Sequence, residues 1–321
     1  MLSEIVPGLI RTEEIDGNRL LCQFLLYSDE QLTIVDAGLP SSPFSTIVPA
    51  IEELSLERPH TTLVLTHPDA DHCGGTASLR AAYPSLRTLA HEFDVPPLGN
   101  PGGTIAHRYE AFAQSDGLRL NRLARARATA RFGAEFDVDE RIVVDKWFDH
   151  GATRAAIVHI PGHSDGHVGV WLPHTRALIA GDALMGYGIP NRDGSLLYPP
   201  QFFSRGLYET TLDRVEAMDV DILLCAHETP MSGAAVATFI NDSREAVRIL
   251  DDNVARALRA GQETLEDLCQ SVSTTYPGLS PDQWMDLAPS VSAILLDMQA
   301  SGLVAVNNAS GIRHFSPAGR P

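Results

Sequence analysis

The chain has 321 residues, 44% hydrophobic and 20% charged, which is enough for one large domain, or a large and a small one, and excludes global disorder. Its formal net charge of -17 argues against nucleic acid or an anionic membrane as the main partner and leaves a small molecule as the expected one. Cys22, Cys73, Cys225 and Cys269 are widely spaced with no CxxC pair, which fits reduced thiols rather than a disulfide framework. With no evident signal peptide and no apolar run of membrane-span length, a cytoplasmic location is expected.

Taken in chain order, residues 20 to 36 read as two strands around a turn at Ser28-Asp29-Glu30, the second ending in Asp36-Ala37-Gly38. A helix is expected over 42–55, with Ile47, Ile51 and Leu54 on one face, then a strand over Thr61–Thr66. A helix over 76–83 and a strand over Leu86–Ala90 follow. Residues 104 to 133 read as an arginine-rich helical insertion, a solvated face or else a lid whose Arg122 and Arg125 select an anionic substrate. Strands are expected at 141–145, 154–160, Val168–Leu172, Ala177–Ala180 and Asp221–Cys225. Strands first, then alternating strands and helices, imply a layered α/β domain over residues 1–235.

From residue 236 the texture changes. Helices are expected over Asp242–Ala260, Thr264–Ser271 (with Thr264 as N-cap) and Pro289–Ser301, followed by strands at Leu303–Val306 and Ile312–Phe315. That order suggests a small winged-helix-like domain over 236–321. Its charge opposes DNA binding: from Asp242 onward there are ten acidic and six basic residues, and Pro289–Ser301 has no Lys or Arg. A structural role or a homodimer contact is the expectation.

One regularity carries chemistry. Four apolar strands end and are followed by His or Asp: at His67, His163, Asp182 and His227. Strand ends converge on one sheet edge, where loops build sites. The stretch His67-Pro68-Asp69-Ala70-Asp71-His72 adds Asp69, Asp71 and His72. Seven imidazole and carboxylate groups match the donor count of a two-metal site, where a bound water ionises near neutral pH and becomes a hydrolytic nucleophile.

These residues resemble the metallo-β-lactamase superfamily. Its HxHxDH pattern stands here as His67-x-Asp69-x-Asp71-His72, and its later ligands match His163 in PGHSDGH, Asp182 in AGD and His227 in CAHE. Asp36-Ala37-Gly38 matches the family's early Asp-x-Gly turn, and the matches run in order from about residue 20 to 230. The resemblance implies an αβ/βα four-layer sandwich and two divalent ions, zinc first. It assigns His67, Asp69 and His163 to one ion and Asp71, His72 and His227 to the other, with Asp182 bridging. It also likens the C-terminal helices to the winged-helix appendage of some members.

Asp69 departs from the pattern. Three readings stay open: direct ligation favouring a harder ion such as iron or manganese, ligation through water, or a weak first site. Asp71 is expected to orient the metal-bound hydroxide. Tyr187 is a candidate for polarising the substrate carbonyl, with Tyr198 competing. Asp36 is read as a turn cap, His167 as a hydrogen-bond partner of a ligand, and Cys73 and Cys225 as buried thiols. The expected activity is hydrolysis of an ester-like bond (lactone, thioester or ester) in a small molecule. Iron-dependent redox chemistry and a non-catalytic regulatory binding protein are the alternatives.

Overall fold

The computed structural model describes residues 2–56, 60–96, 98–151, 153–279, 281–309 and 311–319. Strands β1 (Leu2–Val6), β2 (Leu9–Asp16), β3 (Arg19–Tyr27), β4 (Gln31–Val35), β5 (His60–Val64), β6 (Arg87–His91) and β7 (Glu140–Ile142) form one sheet in chain order. It is an antiparallel meander from β1 to β4 and parallel from β4 to β7. The second sheet begins with an antiparallel meander of β8 (Lys146–His150), β9 (Thr153–His159), β10 (Val168–Leu172) and β11 (Ala177–Gly181). After a small hairpin of β12 (Ile189–Pro190) and β13 (Leu196–Tyr198), strand β14 (Ile222–Cys225) adds parallel to β11, and β15 (Met231–Ser232) closes the edge.

Period-two side-chain alternation makes the layers. Cys22, Phe24 and Leu26 of β3 point inward to meet Ala155 and Ile157 of β9, while Leu25 faces Ile47, Ile51 and Leu79 from the helices on the outer side. Likewise Ala156 and Val158 of β9 face away from the first sheet, toward Tyr208, Leu212 and Val215 of helix Arg205–Ala217. Helix, sheet, sheet, helix is the order, an αβ/βα four-layer sandwich. Backbone hydrogen bonds join the two sheets at one end: Val168 N to Thr66 O and Cys22 N to Ala226 O, both 2.9 Å.

Helices Ala234–Arg259, Leu265–Ser273 and Ala288–Ala300 and the hairpin of β16 (Val304–Ala309) and β17 (Ile312–Pro317) complete the described chain. Thr264 caps its helix, accepting from Asp267 N at 3.1 Å. Leu250, Val254, Leu268, Ile294 and Phe315 belong to the same buried cluster as Val158, Leu178 and Leu223 of the second sheet. The C-terminal elements therefore share their core with the sandwich.

The insertion differs from expectation. Residues 104–133 are not one helix: a turn of π-helix over Ile105–Tyr109 gives way to turns and extended chain before helix Arg122–Phe132 begins at the Asn121 cap. Gly117, in a left-handed conformation at φ 74°, sits in the break.

Candidate metal centre

Every residue of the site follows the C-terminal end of a strand or sits in the turn beyond it. From the first sheet, β5 leads into Thr66 and His67, and Asp69 precedes a four-residue helix, Ala70–Cys73, that carries Asp71 and His72. From the second sheet, β9 leads to His163, β11 to Asp182 and β14 to His227. Two groups of ligand atoms result, each spanning less than 4.8 Å: His67, His163 and Asp182, and Asp71, His72 and His227.

Their spacing is that of a coordination shell. His72 Nε2 lies 3.5 Å and His227 Nε2 3.3 Å from Asp182 Oδ2, and His227 Nε2 is 3.4 Å from Asp71 Oδ2. His67 Nε2 and His163 Nε2 lie 3.3 and 3.1 Å from Asp69 Oδ2. A tetrahedron with bonds of about 2.1 Å has edges of roughly 3.4 Å. The Nε2 atoms of His67, His72 and His227 are buried without a hydrogen-bond partner. Orphaned buried nitrogens are costly, so three of them aimed into one space fit a cation.

The opposite ring nitrogens are held. His72 Nδ1 lies 2.7 Å from Asp36 Oδ2, His227 Nδ1 donates to Leu20 O at 2.8 Å, and His163 Nδ1 donates to Gln201 O at 2.9 Å. Each arrangement puts the proton on Nδ1 and leaves the Nε2 lone pair facing the centre. Asp36 does more than cap a turn. It adopts φ 64°, an uncommon left-handed conformation for a residue other than glycine, and accepts from Thr66 N (2.8 Å) and Thr66 Oγ1 (2.8 Å) as well as facing His72. His167 accepts from Asp182 N at 3.2 Å and stacks on His67, with ring centroids 4.8 Å apart.

Two buried arginines were not singled out as site residues by the sequence, although Arg108 lies in the arginine-rich insertion. Arg108, in the π-helical turn, forks onto Asp69, with Nε to Oδ1 and Nη2 to Oδ2 both 2.7 Å. It also donates from Nη1 to His163 O at 2.9 Å and lies over the Phe203 ring, 4.4 Å from its centroid. Arg19, at the start of β3, donates to Asp71 Oδ2 at 2.5 Å and to Asp16 Oδ2 at 2.9 Å. Burial pushes both Asp69 and Asp71 up, but Arg108 beside the first and Arg19 beside the second outweigh it and hold both below the usual carboxylate range. Burial, with His72 alongside, pushes His67 down to about 4.

A cavity of about 290 Å³ opens over the centre, lined among others by Arg19, Asp71, Tyr109, Asp182, Tyr198 and Asp286. A neighbouring one of about 90 Å³ shares Asp69, Tyr109, Gln201 and Asp286. Asp286 and Met285, from the segment before the last helix, bring the C-terminal region to the site; no motif marks them. Tyr187, expected near the carbonyl, is instead 51% exposed, facing Asp242 and Glu245, because the chain reverses at Gly186 and Gly188. Tyr198 lines the cavity, 5.2 Å beneath the Arg19 guanidinium. Arg122 and Arg125 do not line it; Ala124, Ala128 and Arg131 of that helix do, and Arg131 is paired with Asp16. Cys73 and Cys225 are buried thiols, pushed well up by burial.

The sequence pattern of the Metallo-beta-lactamase superfamily matches residues 23–227. Among curated proteins, a hydroxyacylglutathione hydrolase of Methylococcus capsulatus is 29% identical over 136 residues, 42% of this chain and 50% of that protein. One from Xylella fastidiosa is 24% identical over 295 residues, 91% of this chain and 90% of that protein. The chain thus spans about half the length of the first of these relatives. Two solved structures share the fold. A metallo-beta-lactamase family protein from Thermus thermophilus has a TM-score of 0.72 at 17% identity, covering 98% of this chain and 100% of that one. A beta-lactamase domain protein from Burkholderia ambifaria has 0.74 at 20%, covering 99% and 93%.

Proposed function

The chain belongs to the metallo-beta-lactamase superfamily, and on that premise we propose that it is a metal-dependent hydrolase of ester-like bonds in a small molecule. A thioester is the first bond to try, since relatives across most of the chain are named hydroxyacylglutathione hydrolases. The observation that carries the reading is the meeting of three unpartnered, buried Nε2 atoms with Asp71 and Asp182 beneath an open cavity.

His67, His163 and Asp182, with Asp69 adjoining, would hold one divalent ion, and Asp71, His72 and His227 the other. Asp182 lies between the two sets. Zinc is the ion we name first, from the donor set of imidazoles and carboxylates. When bound, such ions supply Lewis acidity and a water acidic enough to ionise near neutral pH.

The chain's own residues do the rest. Asp36, Leu20 O and Gln201 O fix the ring orientations. Asp71, kept ionised by Arg19 despite its burial, accepts a hydrogen bond from the attacking water and so orients it toward the carbonyl. Burial raises Tyr198, so its phenol stays protonated and can donate to the carbonyl oxygen as charge develops there.

The test is a panel of thioester, lactone, ester, phosphodiester and β-lactam substrates, assayed with protein stripped by chelation and then reloaded with zinc, iron or manganese. Hydrolysis of an ester-like substrate that is lost on stripping and restored on reloading is expected. Failure of every ester-like substrate with all three metals sinks the reading.

A further inference from the structure

The two ion sites differ in how much of their ligand capacity is already taken. At the Asp71–His72–His227 site, both Nε2 lone pairs are free of hydrogen bonds. Arg19 donates to Asp71 Oδ2, the oxygen 3.4 Å from His227 Nε2, but a carboxylate oxygen keeps a further lone pair for an ion. At the His67–His163–Asp182 site His67 Nε2 is free as well, but His163 Nε2 is not. His163 Nδ1 faces a carbonyl, so it carries the ring proton, and Nε2 has one lone pair. Arg108 Nη2 lies 3.1 Å from that atom and 2.7 Å from Asp69 Oδ2. One lone pair cannot serve both an N–H donor and a metal ion.

We infer that Arg108 acts as an internal cation at the first site, making the two sites unequal, so that the Asp71–His72–His227 site fills first and the His67–His163–Asp182 site fills only at higher ion concentration. This inference rests on the metal-site reading above. Three features hold Arg108 in place: the fork onto Asp69, the bond from Nη1 to His163 O, and the Phe203 ring beneath it. A guanidinium cannot lose its charge, so pH does not relieve the competition. An incoming ion must take His163 Nε2 away from Arg108 and share Asp69 with it. The charge sum explains why the arrangement is tolerated: the buried Asp69–Arg108 pair is neutral, as a histidine at position 69 would be.

The experiment is a zinc titration of the full chain, stripped by chelation, in competition with a chromophoric chelator of known affinity. The wild type is expected to show two dissociation constants about 100-fold or more apart. Arg108→Gln is expected to tighten the weaker constant about tenfold or more, leaving the tighter one in place. Arg108→Lys, which keeps the charge but not the fork, should tighten it less, and it stands as the test if Arg108→Gln does not fold. His163→Ala should remove the weaker constant and His227→Ala the tighter one. Two equal constants in the wild type, or no tightening in either Arg108 variant, overturn the inference. A wild-type chain that takes up no zinc, iron or manganese removes the metal-site reading, and this one with it.

Discussion

At the scale of single residues, the centre depends on groups that never touch substrate. Asp36 is the clearest, since one carboxylate holds Thr66 and His72 from a left-handed backbone conformation. Asp36→Ala should weaken zinc at the Asp71–His72–His227 site by about 10- to 100-fold, read by the same chelator competition, with the fold retained. The two tyrosines separate by position. Tyr198→Phe should lower kcat by about 100-fold if its hydroxyl donates to the carbonyl oxygen, whereas Tyr187→Phe, altering a surface side chain, should leave kcat and KM unchanged. Equal, small effects of both substitutions would remove the donor role.

The candidate ligands were legible because they lie just beyond apolar runs that must be strands, and strand ends gather at one edge. Arg19, Arg108 and Asp286 were not, since no local pattern says which arginine of many will be buried. Arg108 reaches Asp69 across 39 positions of chain, and Asp286 arrives from the far end of the sequence.

At the scale of elements, apolar periodicity located β3, β4, β9, β10, β11 and β14 to within a residue or two. It failed where strands are polar. β2 carries Arg11, Glu13 and Glu14, and β8 reads Lys-Trp-Phe-Asp-His, so neither shows a clean alternation. The long helix begins at Ala234, eight residues before Asp242, because its first two turns lack the charges that marked the rest. Leu250, in the middle of that helix, is fully buried against the shared core. Leu250→Ala should cost about 2–5 kcal/mol of unfolding free energy in urea titration, as expected for a large cavity in a packed interior.

At the scale of the whole molecule, texture divided the sequence near residue 236, but packing does not follow that division. Helices on both sides of it fill one apolar cluster with the second sheet, and Asp286 reaches the cavity. A chain ending at Gly233 should therefore lose cooperative thermal unfolding, followed by circular dichroism. A fragment that melts sharply and still takes up zinc would instead establish residues 1–233 as a separable domain. Among the described residues no helix is long and apolar enough to cross a membrane.

The contributions to the centre come evenly from the two sheets. His67, Asp71 and His72 belong to one, and His163, Asp182 and His227 to the other. Ions held there would act as a clasp across the seam between the halves of the sandwich, reinforcing the bonds from Val168 N to Thr66 O and from Cys22 N to Ala226 O. Because the clasp exists only in the folded chain, zinc at 100 times its dissociation constant should add about 2.7 kcal/mol of stability. The gain should appear first at the seam, as slower hydrogen exchange of the Val168 and Cys22 amides, while strand pairs remote from it change little. Stripping the protein would then unbuckle the sandwich from its functional edge inward.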